Sequence, residues 1–303
     1  MTETMSALPR PALSEPMVRA RVEALSTRSV KADAQAAAWD LSIACMDLTT
    51  LEGADTPGRV ARLAARAVLP DPEDPTCPSV AAVCVYPTRV ADARAALDRL
   101  GGGHVAVASV ASGFPAGLTP REARMIEITA AVADGASEID TVLDRAAFLS
   151  GDLDAVAQRI VEEKAACGPA KLKVILETAE LGSPDAVWRA AWLAARSGAD
   201  VLKTSTGKGP GGADLVSAWV LATVARDAGA ELDRIIGVKI SGGVRTAKDA
   251  VRYLLVVDDV SGPEALVPSR FRFGASGLLD DLVAQRRFHT TGRYHGPAYF
   301  PEA

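Results

Sequence analysis

The chain has 303 residues, 49% of them hydrophobic, with a formal net charge of −5. That length suits one large domain or two small ones with an ample core, and mild acidity without a block of one sign argues against nucleic acid as a partner. No apolar run approaches the ~18 residues of a membrane span, and four cysteines (Cys45, Cys77, Cys84 and Cys167) with no CxxC pair point to a reducing cytoplasm.

Residues 1–35 carry Pro9, Pro11 and Pro16 and no continuous apolar stretch. They read as a flexible or helical N-terminal extension, without the pattern of a secretory signal or transit peptide. From residue 36 onward, apolar β-type runs alternate with helical patterns. The predicted strands cover 44–50, 80–87, 104–112, 137–143, 171–177, 200–206, 234–241 and 270–275. Helical periods lie between them, for example over 119–134 and 184–197. The second begins with Ser183 as N-cap and Pro184 at the first helical position, and Gly198 ends it.

Strands alternating with helices imply parallel β/α units. Eight of them predict closure into a single TIM barrel over residues 36–288, followed by a C-terminal tail over 289–303. Six or seven would suit an open doubly wound sheet, which is the competing architecture. No GxGxxG follows the first strand, which weakens a dinucleotide-binding reading.

Barrel enzymes carry their chemistry at the C-terminal ends of the strands. The ionisable and polar residues there are Asp47, Thr49 and Thr50 on the first strand, Cys84 on the second and Asp140 on the fourth. Lys173 and Glu177 follow on the fifth, Lys203, Ser205 and Thr206 on the sixth, and Lys239 and Ser241 on the seventh. Lys203 and Lys239 interrupt apolar strand patterns. Lysine is rarely buried unless paired, so each either snorkels outward or enters a polar site. Two lysines on adjacent strands, with an acid on the fourth, favour the polar site.

Only the neutral amine of lysine is nucleophilic, and a pKa of about 10.4 leaves roughly 0.04% neutral at pH 7. Lowering that pKa to about 7 takes about 4.6 kcal/mol of differential destabilisation of the cation. Burial and a second positive charge both act in that direction. The strands alone do not say which lysine attacks. Cys84 reads as a packed small hydrophobe rather than a nucleophile.

The three histidines, His104, His289 and His295, stand at a strand start and in the tail, so a zinc- or iron-type cluster is not expected. Counting alone leaves a carboxylate magnesium site open. No cofactor is expected, because an iminium is itself an electron sink. The seventh strand runs into Ser241-Gly242-Gly243 and the eighth into Gly274-Ala275-Ser276-Gly277 and a helix. Loops at these places commonly bind phosphate through backbone amides and a helix N-terminus. Thr206 and Lys208 after the sixth strand could add hydroxyl and ammonium contacts.

The segments MDLTTL (46–51), AAVCVYP (81–87), SEIDTVL (137–143), KLKVILETAELG (171–182), VLKTSTGK (201–208), GVKISGGVRTAKDA (237–250) and RFGASGLL (272–279) resemble those of the deoxyribose-phosphate aldolase family, in the family's order. The tail FHTTGRY (288–294) resembles its longer, eukaryote-like branch. The resemblance implies a cytoplasmic class I aldolase, often dimeric, that cleaves 2-deoxy-D-ribose 5-phosphate to glyceraldehyde 3-phosphate and acetaldehyde. It implies Lys203 as the Schiff-base lysine, Lys239 as its pKa-lowering neighbour and proton carrier, and Asp140 as the proton-transfer acid or base. Asp47, Thr49, Cys84, Thr206, Lys208, Gly242, Gly243, Gly274 and Ser276 are the candidate substrate contacts. Ile240 and Ser241 replace the family's usual Pro-Ala after the second lysine, Thr141 replaces a valine and Ala179 a glycine. A C-terminal tyrosine used by short family members has only Tyr294 and Tyr299 as candidates. A Schiff-base aldolase for another phosphorylated aldehyde, and a barrel that binds sugar phosphate without chemistry, are the alternatives.

Overall fold

Short β-branched and alanine-rich runs form the strands. In the computed structural model, which describes residue 8 and residues 14–293, they are β1 (Met46–Thr49), β2 (Ala82–Val85), β3 (Ala106–Val110), β4 (Glu138–Val142), β5 (Lys171–Ile175), β6 (Val201–Lys203), β7 (Gly237–Ser241) and β8 (Phe271–Ala275). All eight are parallel and pair in chain order, and β8 returns to β1, which closes the barrel. The open sheet is thereby excluded. Each strand lies within its predicted run.

The helices between the strands start on local signals. Thr56 accepts a hydrogen bond from the Arg59 amide at the head of helix Pro57–Val68. Ser183 does the same for Ala186 before helix Pro184–Arg196, and Asp214 for Ser217 before helix Leu215–Glu231. Thr246 and Asp249 form a reciprocal capping box on helix Ala247–Ser261. Helix Pro57–Val68 buries Val60, Leu63, Ala64 and Ala67, the one-faced spacing of a helix laid on a sheet. The main core lies between sheet and helices. A second, smaller apolar cluster of Leu51, Cys84, Ala108, Val110, Phe114, Val142 and Ile175 lies inside the barrel.

Ahead of the barrel, helix Glu15–Ser26 turns Val18, Val22 and Leu25 inward and packs on helices Leu215–Glu231 and Ala247–Ser261. Helix Ala32–Ala44 leads into β1 and packs on Ala247–Ser261 and Leu278–Thr291. The boundaries drawn at 35/36 and 288/289 both fall inside helices. Pro9, Pro11, Tyr294, His295 and Tyr299 lie outside the described residues. Among the described residues, no helix is long and apolar enough to cross a membrane.

Candidate active site

Side chains alternate faces along a strand, so the inward sets follow from parity. Glu138 and Asp140 point inward from β4, Lys173 from β5, Lys203 from β6, Lys239 from β7, Arg272 from β8 and Asp47 from β1. The Cα register pairs Lys203 with Lys239, Asp140 with Lys173, and Lys239 with Arg272. A barrel interior is ordinarily filled with branched apolar layers. Here its middle is a charge cluster, and all seven side chains are buried.

Asp140 is the hub. Its Oδ2 accepts from Lys203 Nζ at 2.7 Å and from Lys239 Nζ at 2.8 Å, while its Oδ1 accepts from Lys173 Nζ at 2.9 Å. Lys239 also donates to Asp47. Lys173 reaches Glu138 at 2.6 Å and Asp47 at 3.2 Å. Arg272 forks between Asp47 and Glu138, with its Nη2 donating to Glu138 Oε1 at 2.8 Å. Four cations therefore face three carboxylates. Three of the cations hold two or more carboxylates, whereas Lys203 holds Asp140 alone.

This imbalance sets the proton affinities. Burial pushes Lys203 down; Asp140 opposes that, the Lys239 charge adds to it, and the net shift is downward. Burial also acts against the Lys239 and Lys173 cations, but their carboxylates outweigh it and both lysines are raised. Burial alone would raise Asp140, yet Lys173, Lys203 and Lys239 hold it well below the usual carboxylate range. The cluster is neutral when one ammonium loses its proton, and Lys203 is the one poised to do so.

Lys203 is also the only one of the seven that lines the cleft of about 700 Å³ at the C-terminal ends of the strands. Thr49, Thr206, Lys208, Gly242, Gly243, Gly274 and Ser276 line the same cleft. Asp47 and Cys84 do not. Asp47 lies beneath it in the charge cluster, and Cys84 lies in the inner apolar cluster, where burial pushes its thiol up.

Four of the lining residues have distinct local surroundings. The Thr206 hydroxyl donates to Glu177 and accepts from the Lys208 amide at 3.1 Å, so it braces its own turn. A Cβ on Gly274 would come within 2.9 Å of Lys239 Cε and 2.8 Å of Ser241 Cβ, so the missing side chain makes room for the Lys239 stem. Gly243, at φ +83, has nothing within 4 Å of where a Cβ would stand and faces open space. The Lys208 ammonium pairs with Glu52 at 2.8 Å.

Lys173 stood among the strand-end ionisable residues without an assigned role, and Glu138 and Arg272 were not singled out, nor were Arg59, Arg66 and Arg245, which add cationic groups to the cleft wall. Strand parity was the signal for the first three: each shares a face with a residue already singled out or pairs directly with one. Among the described residues, no group of three or more His, Cys, Asp or Glu side chains is placed to hold a metal ion. The buried carboxylates here are met by ammonium and guanidinium groups instead.

Comparison with known proteins defines the class as a barrel aldolase. Residues 41–263 match the family model described as DeoC/LacD family aldolase, and the chain belongs to that family. It is 42% identical over 291 residues to the deoxyribose-phosphate aldolase of Homo sapiens, covering 93% of this chain and 91% of the relative. It is 38% identical over 258 residues to that of Agrobacterium fabrum, covering 85% and 94%. Among solved structures, the deoxyribose phosphate aldolase of Aeropyrum pernix, described as tetrameric, superposes with a TM-score of 0.65 at 25% identity, over 90% of this chain and 99% of that one.

Proposed function

We propose that the protein cleaves 2-deoxy-D-ribose 5-phosphate reversibly to D-glyceraldehyde 3-phosphate and acetaldehyde through a Schiff base on Lys203. The observation that carries this reading is the surplus cation. Lys203 has a single carboxylate partner, a lowered proton affinity and a place on the cleft floor. Its curated relatives are deoxyribose-phosphate aldolases, which supports the substrate.

The neutral Lys203 amine adds to the C1 aldehyde of the open-chain sugar. Uptake of one proton and loss of water give the iminium. Asp140, kept ionised by three ammonium groups, accepts the C3 hydroxyl proton, directly or through water. The C2–C3 bond breaks, its electrons pass into the iminium, and an enamine remains while glyceraldehyde 3-phosphate leaves. The same proton returns to C2 through Asp140 and Lys239. Water then adds to the iminium, releasing acetaldehyde, the neutral amine and the proton taken up at the start. Splitting the reaction in this way is covalent catalysis.

The phosphate is received by the amides of Gly242–Gly243 and Gly274–Ser276 at the head of helix Leu278–Thr291, flanked by Lys208 and Arg245. The free cysteines suit a reducing cytoplasm, and the family resemblance supports a homodimer, whose mass light scattering measures. The decisive assay supplies 2-deoxyribose 5-phosphate and measures acetaldehyde and glyceraldehyde 3-phosphate together. Equimolar appearance of both is the expected result. Cleavage of another phosphorylated aldol in preference would move the substrate, and binding without products would overturn the reaction.

A further inference from the structure

Glu177 follows β5 by two residues. Its backbone is left-handed, at φ +52 and ψ +60, a conformation that a side-chain-bearing residue adopts only when its surroundings impose it. The surroundings here are two backbone bonds of 2.9 Å, from Leu176 N–H to Lys203 O and from Thr178 N–H to Thr204 O. They continue the β5–β6 pairing on either side of Glu177 and tie it to Lys203 and Thr204.

Glu177 is 2% exposed, and among the described residues its carboxylate has no ion-pair partner. A buried carboxylate without a cation needs donors, and Thr206 supplies them. The Thr206 amide donates at 3.2 and 3.3 Å to the two carboxylate oxygens, and its hydroxyl donates at 2.5 Å. The same hydroxyl accepts from the Lys208 amide at 3.1 Å. Gly207, at φ +75, is left against Gly242: a Cβ there would stand 3.8 Å from the Gly242 Cα. One carboxylate thus sets the shape of the Thr206–Lys208 turn and its contact with the Gly242–Gly243 loop.

We propose that Glu177 is a positioning residue for substrate recognition, holding the Thr206–Lys208 turn against the loop that takes the substrate phosphate. The inference rests on the phosphate reading given above. A carboxylate suits the place because the turn presents two donors, an N–H and an O–H, and a carboxylate offers two acceptor oxygens where an amide offers one.

The test compares kcat/KM for 2-deoxyribose 5-phosphate with that for free 2-deoxyribose. Glu177→Gly accepts the left-handed backbone without strain and removes only the anchor. It lowers the ratio by about tenfold to a hundredfold, the range for losing hydrogen bonds to a charged group. Glu177→Gln, with one acceptor retained, falls between. Equal loss on both substrates, or an unchanged ratio, overturns the proposal. If Glu177→Gly does not fold, Thr206→Val cuts the hydroxyl bond from the other side, and an unchanged ratio there overturns it equally. Failure of the phosphate reading is separately visible, because the unsubstituted protein would then show no preference for the phosphorylated sugar.

Discussion

Removing the Lys239 charge should raise the pKa of Lys203 and move the rising limb of the pH–rate profile upward. Both ammonium groups bond Asp140 Oδ2, at 2.7 and 2.8 Å. Their nitrogens therefore lie within about 5.5 Å of each other, the sum of those distances, where two like charges repel by about 3 kcal/mol at an effective dielectric of 20. Losing that repulsion favours the Lys203 cation and so raises its pKa. The charge count agrees: without Lys239, three cations face three carboxylates and none is in surplus.

The reactive form of Lys203 is the neutral amine, so a higher pKa leaves less of it at neutral pH. Lys239→Leu should therefore cut kcat/KM about 100-fold at pH 7, with much of the loss recovered as pH rises. The assay is the pH profile of cleavage, alongside the rate of borohydride trapping with acetaldehyde. Lys239 is also a proton carrier in the scheme, so trapping, which needs no carbon–carbon cleavage, isolates the effect on the amine. A trapping profile that stays in place while cleavage falls at every pH would refute the electrostatic argument and leave Lys239 only its proton-transfer role.

Gly274→Ala should lower kcat about tenfold or more while sparing KM, because the new methyl meets the Lys239 stem and a shift of about 1 Å at a reacting group is that costly; a rise in KM alone would return Gly274 to a purely phosphate role. Gly243→Val places its side chain in open space at a positive φ, and should raise KM for the phosphorylated sugar much more than for free deoxyribose; equal losses would count against a phosphate site there. Cys84→Ser should keep most of the cleavage activity and lower thermal stability by about 1–3 kcal/mol, since a hydroxyl replaces a protonated thiol among apolar neighbours; inactivation comparable to losing Lys203 would make Cys84 catalytic.

Much of the barrel was legible because its strands are short apolar runs broken by Gly, Pro and capping residues. Lys203 and Lys239 stood out for the same reason: a lysine inside such a run is chemically expensive. Lys173, Glu138 and Arg272 were harder to read. Glu138 and Arg272 stand two residues before Asp140 and Gly274 on the same face, deeper than the strand ends where chemistry was sought. Lys173 lies in KLKVI beside Lys171, which is exposed, so the segment resembles a solvated strand start. Its burial depends on three carboxylates brought together only by closure. Gly274 and Thr206 show the limit from the other direction. Both line the cleft as expected, yet what fixes them is a lysine stem and a carboxylate from neighbouring strands, and a linear pattern carries no sign of either. The alanine-rich helix Ala32–Ala44 has little one-sided patterning, so the start of the barrel was drawn inside it.

In the proposed reaction Lys203 alone forms the covalent intermediate. The measurement is mass-spectrometric mapping of the protein after reduction with borohydride in the presence of acetaldehyde. One added ethyl group is expected, on the peptide containing Lys203, lost in Lys203→Leu and still at Lys203 in Lys239→Leu. An adduct on Lys239 or Lys173 in the unsubstituted protein, or none at all from a preparation that cleaves the substrate, would contradict it.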